Sequence, residues 1–132
     1  MLVMGTEAIT QKEVCMIRIK QVYEDYDADD GQRYLVDRLW PRGMSKENLV
    51  MDGWLKDVAP SRDLRQWFGH DPDKWDEFSS HYCAELDSNP SAWKPLIEAS
   101  RQGVVTLLFS AHDSEHNNAV VLKAYLEKQM EV

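Results

Sequence analysis

Apolar and polar positions alternate, run together and then recur at helical spacing along this chain, and that order predicts an α/β fold. Ile17, Ile19 and Val22 alternate loosely with Arg18 and Lys20 before the acidic turn EDYDADDG, which reads as a first strand and a loop. Gly31 marks the turn back. The run QRYLVDRLW follows, with Tyr34, Leu35 and Val36 as its β-prone core stopped by Pro41, and it reads as a central strand with its polar end at Asp37 to Arg42. Ser45 is an N-cap for a short predicted helix from Lys46 to about Val50, and Trp54 to Val58 reads as a brief third strand.

Helical spacing dominates the middle of the chain. Ser61 caps a helix in which Leu64, Trp67 and Phe68 fall at i, i+3 and i+4, and Gly69 closes it. Asp71 and Pro72 restart the chain as N-cap and first helical residue, after which Trp75, Phe78, Tyr82 and Leu86 trace one apolar stripe. Pro90 and Pro95 punctuate the next stretch, and a short helix through Leu96 and Ile97 ends at Gly103. VVTLLFS, residues 104–110, is the continuous apolar run of a strand buried on both faces. Asp113 or Ser114 then caps a last helix, with His116 and Asn117 in its first turn and Ala119, Val120, Leu122, Tyr125 and Leu126 on its apolar face. The order predicts a small, mainly parallel sheet flanked by helices in a single compact domain, residues 16–132. Residues 1–15 form an N-terminal extension, disordered or an ordered arm, and Met16 competes with Met1 as the natural start.

Composition narrows the function classes. At 132 residues the chain has room for one domain. No apolar run approaches the roughly 20 residues that span a bilayer, and the N-terminal segment lacks a basic n-region and an apolar h-region, so a soluble cytoplasmic protein is expected. A formal net charge of −8 argues against nucleic acid, whose backbone is held by clustered Lys and Arg. Cys15 and Cys83 share no metal-ligand spacing and are expected as reduced thiols.

Against that negative field, the arginines at strand ends stand out. In open α/β sheets ligands bind beyond the carboxyl ends of the strands, and two segments place polar groups there, residues 36–43 and 110–118. Arg38 and Arg42 carry forked guanidinium groups suited to phosphate or carboxylate, with Pro41 and Gly43 restricting the turn between them. The competing reading pairs Arg38 with Asp37 and leaves Arg42 solvated. Ser110, His116 and Asn117 lead into a helix N-terminus, which favours an anion. His70 beside Asp71 is raw material for general acid/base work, with the capping role of Asp71 as its alternative. His112 and His116 have the spacing of a helical two-histidine metal site, but His112 precedes the cap and leaves that face, so no metal is expected. No G-x-S-x-G elbow or glycine-rich phosphate loop occurs, and no cofactor is expected.

The chain resembles the domain-of-unknown-function family 488 (DUF488), small bacterial and archaeal α/β proteins. The resemblance rests on VDRLWPRG (36–43), WLKDVAPSRDLRQWFGHDPDKWDEFSSHYCAEL (54–86) and VTLLFSAHDSEHNNAVVLKAYLE (105–127), and covers nearly everything from Met16 onward. It implies a compact α/β fold and a pocket carried by Arg38, Trp40, Arg42, His70, Asp71, Ser110, His116 and Asn117, and it implies no established reaction. His112 departs from the basic residue, such as Lys, expected there. The sequence therefore supports an enzyme or binder of a small anionic ligand, phosphate- or carboxylate-bearing and nucleotide-like, with His70 and Asp71 as its acid/base pair. The alternative is a non-catalytic interaction module that presents Trp40, Trp54 and Trp93 to a partner.

Overall fold

The computed structural model describes residues 16–130, so the expectations for the N-terminal extension and for Cys15 lie outside the described residues. Four parallel strands, β1 (Ile17–Gln21), β2 (Gln32–Leu35), β3 (Gly53–Trp54) and β4 (Val105–Phe109), form one sheet in the order β1-β4-β2-β3. The helices are α1 (Arg62–Phe68), α2 (Trp75–Asp87), α3 (Pro90–Ser100) and α4 (Asn118–Met130). The predicted α/β class, a small parallel sheet with helices, is the fold observed.

Strand β4 lies between β1 and β2 and is buried along its whole length. Its alternate side chains serve two different cores, which is why its sequence is a continuous apolar run. Val105, Leu107 and Phe109 join Ile17, Val36 and the apolar stripes of the helices. On the other side Leu108 packs with Val22, Leu35 and Leu49, and the β2–β3 connection covers them with Trp40, Met44 and Met51.

That second face also holds a buried ionic cluster. The Asp30 carboxylate pairs with Lys20 at 3.0 Å and with Arg33, while the Asp30 carbonyl accepts the Thr106 hydroxyl at 2.7 Å. Arg33 Nε reaches the Val50 carbonyl at 2.7 Å, which ties the β2–β3 connection to the sheet. Burial alone would raise the Asp30 pKa, but hydrogen bonds from Lys20, the Asp27 backbone and Arg33 outweigh it and hold the carboxyl below its ordinary value.

The helix caps are largely those expected. Ser61 accepts the Leu64 N–H, Gly69 closes α1 in the left-handed region, and Asp71 accepts the Asp73 N–H ahead of Pro72. Phe78, Tyr82 and Leu86 are buried along α2. Trp67, predicted on the apolar face of α1, is instead exposed: α1 has only two turns, and Leu64 and Phe68 alone meet the core.

Several expectations need correction. Residues 46–50 make a single turn and no helix, since Ser45 already satisfies Asn48 and Leu49 and the chain must then bend inward to bury Leu49. The third strand is only Gly53–Trp54, and Lys56–Val58 form a 3-10 turn, because the strand that β3 pairs with ends at Leu35. The helix through Leu96 and Ile97 is longer than predicted at its start and ends sooner: it runs from Pro90, at N1 where a missing N–H costs nothing, to Ser100. The last helix begins at Asn118, so His116 and Asn117 precede it and are not in its first turn. Val121, not Val120, is buried on its face.

Candidate functional site

Beyond the carboxyl ends of β2 and β4 lies a cleft of about 790 Å³. Residues 36–43 and 110–118 converge on it, and α1 supplies a further wall through Arg65, Gln66 and Phe68. Arg38, Trp40, Arg42, His70, Ser110, His116 and Asn117 all line it, whereas Asp71 does not.

The segment after β2 is anchored at each step. Asp37, directly beyond the strand, accepts the backbone N–H of Ser110 at 2.9 Å and its hydroxyl at 2.8 Å, both on Oδ2. Burial raises the Asp37 pKa, against the hydrogen bonds from Ser110, the neighbouring Asn118 amide and the charge of Arg65. Arg38 makes no pair with Asp37. Its Nε and Nη2 donate instead to the carbonyls of Pro60 and Ala59, each at 3.3 Å, which orients the guanidinium at the cleft wall. Arg42 is exposed, and its carbonyl accepts the hydroxyl of Tyr23, another residue of the cleft lining, at 2.7 Å.

Trp40 lines the cleft, but its indole N–H donates to the Met44 carbonyl and its ring packs edge-on against Trp54, centroids 5.3 Å apart. Trp54 and Trp93 likewise donate to the carbonyls of Asp37 and Leu86. Trp93 is buried, and Trp54 packs against the second core. The tryptophans of the interaction-module reading thus have their polar atoms satisfied within the domain.

In the second segment, Asp113 organises a turn. Its carboxylate accepts the N–H groups of Glu115 and His116 at 2.9 and 3.0 Å, and its Oδ2 lies 2.9 Å from His116 Nδ1. The Glu115 N–H and the His116 ring lower the Asp113 pKa. The His116 ring stands edge-on to Trp75, centroids 5.1 Å apart. Asn117 is buried; its amide donates to the Asp113 carbonyl and its oxygen accepts the Val120 N–H, so it caps α4.

The proposed acid/base pair is not brought together. His70 has a left-handed backbone, φ 59°, and faces the cleft, while the Asp71 carboxylate turns to the Asp73 N–H. Among the described residues, no group of three or more His, Cys, Asp or Glu side chains is placed to hold a metal ion. Cys83 is a half-buried thiol whose pKa is raised by burial and then by Asp87.

Two cleft residues escaped the sequence reading. Asp37 was legible only as a partner for Arg38, since its contact with Ser110 joins residues that are distant in sequence. Arg65 lies just off the apolar stripe of α1 and carries no motif. It lines the cleft, and its Nε is buried without a hydrogen-bond partner among the described residues.

Fold and cleft together define an α/β protein with an arginine-bearing cleft at the carboxyl end of a parallel sheet. The chain belongs to the DUF488 family: residues 16–132 match the family model described as "Inactive DUF488-N3 subclade". It is 43% identical over 110 residues to the uncharacterized protein Rv3073c of Mycobacterium tuberculosis, covering 83% of this chain and 92% of that one. It is 39% identical over 110 residues to the uncharacterized protein YeaO of Escherichia coli, covering 83% of this chain and 96% of that one. No solved structure matches.

Proposed function

We propose that the protein binds a small anionic molecule, phosphate- or carboxylate-bearing and of nucleotide-like size, in this cleft, and holds it without turnover. The observation that carries the reading is the convergence of three guanidinium groups, those of Arg38, Arg42 and Arg65, on the lining of one cleft. Guanidinium groups gathered in this way hold phosphate or carboxylate in charge-assisted hydrogen bonds. The volume suits a small molecule, since such sites typically enclose about 300–1,000 Å³. Binding in place of catalysis is favoured by the description of the family as an inactive subclade and by the position of Asp71, which caps a turn and does not line the cleft with His70.

The test is calorimetry and thermal shift with inorganic phosphate, nucleoside monophosphates and dicarboxylates. At least one should raise the melting temperature of the wild type, and Arg65→Ala and Arg38→Lys should each weaken it by about tenfold or more, the scale of one charge-assisted hydrogen bond. No response across the panel, or variants that lose stability yet keep the full ligand shift, would overturn the reading.

A further inference from the structure

The cleft wall carries both donors and acceptors. Among the donors are Arg65 and Arg38, the latter with its guanidinium fixed by two backbone carbonyls. The acceptors are at the strand ends, where the Ser110 hydroxyl proton is already given to Asp37 Oδ2. Ser110 can therefore offer a ligand only its lone pairs, and an ionised Asp37 is acceptor-only as well. The remaining polar groups of residues 110–118 are largely committed: Asn117 caps α4 and His116 Nδ1 is paired with Asp113.

A bare anion drawn to the arginines would face the Asp37 carboxylate, a like charge held in place by Ser110. A ligand that also brings an N–H or O–H turns the same carboxylate into a partner. Desolvating an acceptor without a matching donor is what makes a polar pocket reject the wrong ligand.

Building on the anion-binding reading, we propose that Asp37 is the specificity-determining residue of the cleft, selecting acids that carry a hydrogen-bond donor over acids that lack one. The raised pKa of its carboxyl agrees with a site where a hydrogen on that wall is favoured.

Two matched pairs test this by calorimetry: phosphoethanolamine against ethyl phosphate, and 2-hydroxyethyl phosphate against ethyl phosphate, the second adding a donor without adding a charge. In at least one pair the wild type should prefer the donor-bearing member by about tenfold, the scale of one hydrogen bond to a charged group. Asp37→Asn keeps an oxygen for Ser110 and replaces the other with an amide donor, so it should reduce that preference to about twofold or reverse it, mainly by tightening the donor-free member. Equal affinities in both wild-type pairs, or a preference that Asp37→Asn leaves intact, would overturn the inference and leave the anion site standing. The wild-type comparison decides even if the variant fails to fold. No binding of any member by either protein would overturn both.

Discussion

Asp37 at the end of β2 and Ser110 at the end of β4 are joined by two hydrogen bonds to one carboxylate oxygen, 2.9 Å from the Ser110 N–H and 2.8 Å from its hydroxyl. The pair bridges two neighbouring strands at the point where the ladder stops, so the floor of the cleft is an extension of the sheet. Residues held this way are positioned by the scaffold and not by loop conformation.

The raised pKa of Asp37 has a definite sign for stability. The folded state holds this proton more tightly than the unfolded chain does, so the ionised carboxyl costs stability as pH rises through its folded pKa. Asp37→Asn removes that cost while keeping an acceptor for Ser110. Its melting temperature should equal or exceed that of the wild type at pH 7.5, with the difference shrinking as pH falls toward about 4, near the ordinary carboxylate value. A variant less stable at pH 7.5, with the gap closing in acid, would show that the carboxylate is stabilised in the fold.

Asp30 should behave oppositely. Its lowered pKa means the pair with Lys20 and Arg33 contributes stability above the ordinary carboxylate value, and this is lost as pH falls through the folded pKa. Asp30→Asn leaves buried Arg33 without its counter-charge, which should cost about 3–5 kcal/mol at pH 7 and less near pH 3, since the wild type begins to lose the contribution once pH falls below the ordinary carboxylate value. Urea denaturation at the two pH values measures this, and a pH-independent loss would point to packing instead of charge.

Gly31 should tolerate no side chain. Its φ is +65°, and a Cβ there would lie 2.1 Å from the Val104 carbonyl oxygen, which accepts the Gln32 N–H at the start of the β2–β4 pairing. Neither group is a flexible side-chain end, so backbone must move. Gly31→Ala should lose about 3 kcal/mol, combining conformational strain with disturbed pairing. Circular dichroism melting would show it, and an unchanged melting temperature would mean that the turn refolds freely.

Much of the architecture is set by neighbours in sequence. Ser61, Gly69, Asp71 and Pro72 mark helix ends because capping is a bond between residues two to four apart. The stripe of Phe78, Tyr82 and Leu86, and the unbroken run of β4, follow from how many faces each element buries. The convergence of residues 36–43 and 110–118 was also legible, from the rule that strand ends in a parallel sheet share one edge. What each side chain does there was decided by tertiary contacts. Arg38 turns to Ala59 and Pro60, and Asp37 to Ser110. Arg65 comes to the cleft from a helix whose sequence signals only its own caps and core face. Local periodicity specifies elements because its partners lie within a few residues. The partners of a strand-end aspartate or a helical arginine lie tens of residues away, and only the packed sheet and helices bring them together.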